Sequence, residues 1–198
     1  MSFSAQDVKK LRDMTGAGMM DCKKAMEETG GDTEKAVDVL RAKGAARAAK
    51  RAERSAKQGF IGSYVHFDGK TAVIVELNCE TDFVAKTDDF RALAKELALH
   101  IASAAPLAVS PADIPSDVVE RERHVYEEQV RAEGKPAAIA GKIVEGKLQK
   151  FYKENTLLAQ AFVKDPDKTI EQLITEVSGK TGEKIEVGRF ARFKVGER

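Results

Sequence analysis

The dipeptide Asp68-Gly69 sets the topology of the middle of this chain. It lies between two β-rich runs, Phe60-Ile-Gly-Ser-Tyr-Val-His-Phe67 and Lys70-Thr-Ala-Val-Ile-Val-Glu-Leu-Asn-Cys79. Glycine tolerates the positive φ of a type I′ turn, so the pair predicts a hairpin closed by a two-residue loop. A third strand is predicted over Lys184–Lys194, where the alternation slips after Gly188 and a bulge would fit. Nearly everything else carries the helical period. The predicted class is therefore α+β, with a small three-stranded antiparallel sheet covered by helices.

Residues 4–43 read as three short helices separated by glycines. Ser4 caps the first, with Asp7 in its first turn beside the positive end of the helix dipole. Val8 and Leu11 mark its apolar stripe, and Gly16 and Gly18 stop it. The second runs from about Met19 to Glu28 with Cys22, Ala25 and Met26 in register; the third starts at Asp32 and stops before Gly44. Residues 41–57 follow with seven Lys/Arg against Glu53 alone, rich in alanine, and read as a charged helical connector. Two units are expected: residues 1–55, the three-helix unit with its connector, and 56–198, a core domain.

Within the core domain, Thr87 to about Ala104 forms an amphipathic helix with Phe90, Leu93, Ala94, Leu97 and Ile101 on one side. Ser110-Pro-Ala-Asp113 has the form of a capping box with proline at the first helical position. Helices are expected at about 117–133, 137–154 and 168–178.

Charge and cysteine usage narrow the function classes. Thirty-three Lys+Arg stand against 32 Asp+Glu, a net charge of +1. That balance disfavours a dedicated nucleic-acid binder, and the basic connector has no interleaved aromatics for base stacking. Cys22 and Cys79 are the only cysteines and read as reduced thiols. The first ten residues hold no apolar signal core, and prolines interrupt the uncharged run Leu97–Ala112. A cytoplasmic setting with no membrane partner is the expectation.

Catalytic signatures are weak. His66, His100 and His124 lie far apart, and none is at metal-ligand spacing with a cysteine. Thr15-Gly-Ala-Gly18 has neither the preceding strand nor the lysine spacing of a phosphate loop, and reads as a turn between helices. No cofactor, metal site or catalytic residue is expected. Two features point to contacts with another macromolecule. Met19 and Met20, adjacent at a helix start, cannot both face one core, and methionine suits adaptable partner surfaces. In Glu76-Leu-Asn-Cys-Glu-Thr-Asp-Phe-Val-Ala-Lys86 the second strand passes to a helix through Thr81-Asp82-Phe83-Val84. Phe83 either tucks into the core or is presented, beside Asp82, to a partner's apolar pocket; composition leaves both open.

Two long strings resemble the elongation factor Ts family: Leu11-Arg-Asp-Met-Thr-Gly-Ala-Gly-Met-Met-Asp-Cys-Lys-Lys-Ala25 and Glu76–Lys86. The likeness continues through the basic connector and the hairpin to Gly188-Arg-Phe-Ala-Arg-Phe193, covering essentially the whole chain. It implies an N-terminal module similar to ubiquitin-associated domains that docks on the nucleotide domain of the GTPase elongation factor Tu, with Arg12, Met19 and Met20 as contacts. It also implies that Thr81, Asp82, Phe83 and Val84 form the segment that intrudes beside the bound nucleotide and dislodges magnesium. On this resemblance the chain is a guanine nucleotide exchange factor without covalent chemistry. Its likeness to the short branch of the family implies a homodimer in a two-to-two complex.

Overall fold

A computed structural model describes residues 3–197. Ser4 opens helix α1 (Ala5–Thr15) with a reciprocal cap: its hydroxyl accepts from the Asp7 amide at 3.2 Å, and the Asp7 carboxylate accepts from the Ser4 amide at 2.8 Å. Helix α2 (Met19–Glu28) follows after the Gly16–Gly18 turn, and Asp32 caps α3 (Thr33–Arg51) through the Lys35 amide. Their facing stripes bury Val8, Leu11, Cys22, Ala25, Met26, Ala36 and Leu40 as a cluster of their own.

The third helix does not stop at Gly44 but continues to Arg51, absorbing most of the basic connector. A single interior glycine costs only about 1 kcal/mol, and the alanines, arginines and lysines beyond it are strong helix formers.

The chain then forms β1 (Gln58–Val65), β2 (Thr71–Cys79), the one-turn helix α4 (Asp82–Ala85), and α5 (Asp88–Ala104). Helices α6 (Ser116–Ala132) and α7 (Ala137–Asn155) make a helical hairpin over Val130, Val144 and Leu148. Strands β3 (Ala161–Phe162) and β4 (Asp165–Thr169), helix α8 (Ile170–Thr181) and strand β5 (Ile185–Lys194) complete the described chain. The main sheet has the order β1-β2-β5, antiparallel throughout. Glu76 pairs with Arg189 and Leu77 with Val187, so Gly188 is the extra residue of a bulge, where the alternation slips.

The hairpin turn differs from expectation. Strand pairing ends at Val65–Ala72, and the His66 carbonyl accepts from the Gly69 amide at 2.8 Å. Gly69 has φ +69° while Asp68 does not enter the positive-φ region, so this is not a type I′ turn. Asp68 instead accepts from the Lys70 amide at 2.9 Å, and its side chain shapes a longer loop.

Also unanticipated is the short β3–β4 pair. The helix predicted from about 168 begins two residues later, with Thr169 as its N-cap in a capping box with Gln172. The fully buried His100 of α5 braces this hairpin: its Nδ1 accepts from the Val163 amide at 3.3 Å, and its Nε2 lies 3.0 Å from Gln160 Oε1.

The sheet has two unlike faces. Val73, Val75, Leu77, Val187 and Ile185 are buried with Phe90, Leu93, Ala94, Leu97 and Ile101 of α5. The register places three rows on the opposite face: Ile61–Glu76–Arg189, Ser63–Ile74–Ala191 and Val65–Ala72–Phe193. Ile61, Ile74, Val65 and Phe193 are all exposed there. Among the described residues no helix is long and apolar enough to cross a membrane.

Candidate partner-binding site

Strand β2 ends at Cys79, deep in the core, and the chain must turn sharply to enter α5. It does so through Glu80, Thr81 and the four residues of α4. Thr81 is extended (φ −125°, ψ 155°) and its hydroxyl accepts from the Val84 amide at 3.4 Å, the geometry of an N-cap. In so short a helix the inward positions are fixed by packing: Ala85 is buried and Val84 lies against the main core. The remaining two positions point outward. Phe83 is 80% exposed, and Asp82 is exposed beside it. Of the two arrangements left open by the sequence, the ring does not tuck into the core; it stands in solvent.

The Asp82 carboxylate lies 2.6 Å from Lys86 Nζ, one turn away, and this lysine holds its carboxyl below the usual range. Both side chains are solvated, so the pair is weak and does not lock Asp82 in place. The turn as a whole is anchored from elsewhere. Glu183 Oε2 accepts from the amides of Glu80 and Thr81, each at 3.0 Å, and Glu183 Oε1 accepts from the Thr81 hydroxyl at 2.6 Å. In return the Lys184 amide donates to Glu80 Oε1 at 2.6 Å; that bond, with Arg54 at 3.4 Å, holds the Glu80 carboxyl below the usual range. The Cys79 thiol, pushed up by burial, donates to the Thr81 carbonyl.

The second group of candidates sits where α1 meets α2. Arg12 is in the last turn of α1 and pairs with neighbouring Asp13 at 2.9 Å. Met19 and Met20 open α2, and both are exposed, Met20 at 63%. Met14, which sequence reasoning did not single out, is exposed too, being off the Val8–Leu11 stripe. Methionine side chains thus project from the ends of both helices at this corner. No hydrogen bond or ion pair among the described residues joins this corner directly to Thr81–Val84.

The basic connector is largely occupied. Lys43 pairs with Glu28 at 2.7 Å and Arg47 with Asp21 at 2.8 Å. Arg51 reaches Ser178 and Arg54 reaches Glu80. Three of the seven connector cations thus meet a carboxylate and a fourth bonds a serine, which weakens the positive stripe that RNA binding would use. Among the described residues no group of three or more His, Cys, Asp or Glu is arranged to hold a metal ion.

What sequence reasoning missed is the support of the turn. Glu183 lies 102 positions from Thr81, and no local pattern signals that pairing.

Comparison with known proteins agrees along the full length. The family model described as Elongation factor TS matches residues 4–197. A protein named Elongation factor Ts from Coprothermobacter proteolyticus is 56% identical over 197 residues, covering all of both chains. One from Fervidobacterium nodosum is 53% identical over 197 residues, again covering both completely. One from Thermosipho melanesiensis is 53% identical over 195 residues, 98% of this chain and all of that protein. With that coverage and identity, the chain belongs to the elongation factor Ts family.

Proposed function

We propose that this chain binds the GDP form of the GTPase elongation factor Tu in the cytoplasm and promotes GDP release, so that GTP can bind. Family membership implies a role in translation elongation; the exchange step is the reading that the exposed turn supports best. The observation that carries it is Phe83, a large apolar ring held out in solvent next to a carboxylate on an anchored turn. A ring this exposed adds little to its own fold, and its place beside a carboxylate on a braced turn suits insertion into a pocket of another protein.

Phe83 enters a gap between helices of the partner, and burying the ring is worth roughly 1.5–3 kcal/mol, enough to hold a shifted helix. Asp82 enters with it and disfavours the arrangement around the partner's magnesium electrostatically, without becoming a ligand. Loss of that cation removes the largest local positive charge holding the nucleotide phosphates. Arg12, Met19 and Met20 supply the second contact, on the partner's nucleotide domain, with the N-terminal module (residues 1–55) docking beside the core domain (56–198). No covalent step is involved. The coupling is reciprocal, so nucleotide weakens binding of this chain by the factor by which the chain weakens nucleotide.

A homodimer forming a two-to-two complex belongs to the same reading. The outer rows of the sheet, with Ile61, Val65, Ile74 and Phe193 exposed, offer an apolar surface that a second copy can cover.

The deciding experiment follows release of a fluorescent GDP from elongation factor Tu. Phe83→Ala combined with Asp82→Ala slows release about tenfold or more, because each factor of ten is only about 1.4 kcal/mol of barrier. Since Phe83 is exposed, its replacement shifts folding stability by no more than about 0.5 kcal/mol. Release at the parent's rate by the double variant rejects the reading.

A further inference from the structure

The turn that presents Asp82 and Phe83 cannot hold its own shape. Four residues are too few for a helix to pay back its nucleation, and the Asp82–Lys86 pair is solvated. Val84 and Ala85 pack inward, and the approach to the turn is held by one side chain from the loop between α8 and β5. Glu183 accepts the two main-chain amides that lead into the turn and the hydroxyl of its capping residue, three bonds to one carboxylate. Bonds to an ionised acceptor are shorter and stronger than neutral ones. The geometry is directional as well. With its proton committed to Glu183 Oε1 at 2.6 Å, the Thr81 hydroxyl keeps a lone pair for the Val84 amide. Glu183 is itself fixed by its own backbone, whose carbonyl accepts from the buried Ser178 hydroxyl at 2.6 Å.

We infer that Glu183 is a positioning residue for nucleotide exchange: it sets Thr81 and α4 before docking, so that Asp82 and Phe83 enter the partner without an ordering cost. The inference rests on the exchange reading of Phe83. Glu183 acts through the turn and does not itself touch the partner's nucleotide. Removing it leaves Phe83 present but mobile, and a mobile side chain loses conformational entropy when it inserts.

A double-mutant cycle on the full chain tests this, with release of fluorescent GDP from elongation factor Tu as one readout and amide hydrogen exchange of the free chain as another. Glu183→Ala is expected to slow release about tenfold, and in a Phe83→Ala background to slow it by less than about twofold further, because both act through one ring. In the free chain, Glu183→Ala is expected to speed exchange of the Glu80 and Thr81 amides at least about tenfold while the β2 amides stay protected. Glu183→Gln keeps an oxygen for the two amides but loses the charge. It is expected to fall between parent and Ala, and it answers the case in which Glu183→Ala does not fold. Full additivity in the cycle, or unchanged amide exchange, overturns the positioning role. If Phe83→Ala slows release and Glu183→Ala does not, this inference fails alone. If Phe83→Ala leaves release untouched, the exchange reading fails and this inference falls with it.

Discussion

The Arg51 guanidinium, at the end of α3, donates from one nitrogen to both the carbonyl (3.1 Å) and the hydroxyl (3.2 Å) of Ser178 near the end of α8. The same Ser178 hydroxyl donates to the Glu183 carbonyl. A residue of the basic helix therefore reaches, through one serine, the loop that braces the Thr81–Val84 turn. Arg51→Ala is expected to destabilise the chain by about 1 kcal/mol, the usual net worth of a partly buried hydrogen bond. The cost stays small because the Ser178 carbonyl keeps the Gly182 amide at 3.0 Å. Chemical denaturation measures the stability change, and faster hydrogen exchange over residues 178–184 reports the loosened loop.

Ile74 occupies the centre of the outer sheet face, flanked by Ser63 and Ala191 in the same row. It is half exposed, so its replacement leaves the core intact. A lysine there puts a charge in the middle of any interface between two sheets, and leaving it unpaired costs several kcal/mol. The parent is expected to sediment as a dimer and Ile74→Lys as a folded monomer. A variant that sediments with the parent excludes this face as the contact.

Much of the architecture was legible because it is written in local periods. Cys22, Ala25 and Met26 recur at helical spacing and are buried together. Gly188 breaks a strict alternation and is the bulge residue. Where sequence reasoning failed, the deciding contacts were distant or the elements too short to carry a period. Strand β3 has two residues, and its bracing comes from His100 some sixty positions earlier. Gly44 looked like a stop, but α3 runs through it to an arginine that bonds α8. Phe83 could be named from its string, but its exposure depends on Val84 and Ala85 taking the inward positions. Glu183 was invisible to any local reading.

Gly62, in β1, faces α5 at very short range. A Cβ built there would lie 2.6 Å from the Ala94 carbonyl oxygen and 2.8 Å from its carbon, both backbone atoms of a buried helix. Neither can move without shifting α5 off the sheet. Gly62→Ala is therefore expected to lose about 2–3 kcal/mol of stability, at the upper end for overpacking. Ser63→Ala, next to it on the exposed face, is expected to stay within about 0.5 kcal/mol. Paired urea titrations of the two variants check the contrast.

His100 gives the fold a pH dependence whose sign follows from its surroundings. Burial disfavours the imidazolium and lowers the pKa from its ordinary 6.5, against a smaller opposing effect from the bond to Gln160. Nδ1 accepts from the Val163 amide and cannot be protonated without losing that bond. In the unfolded chain the imidazole is free to take a proton near pH 6.5, so between that value and the lower folded pKa the unfolded state binds more protons. The histidine's contribution is thus fully present above about pH 6.5 and is lost as pH falls through this window toward the folded pKa. Depressed carboxyls such as Asp21, bonded to Arg47, add their own loss only at lower pH. Denaturation midpoints at about pH 7.5, 6.5 and 5.5 should fall in that order for the parent. His100→Gln is expected to be less stable at every pH, since it gives up the packing of the ring, but with a much flatter profile over the same interval. A variant whose stability falls as steeply as the parent's would place the titrating group elsewhere.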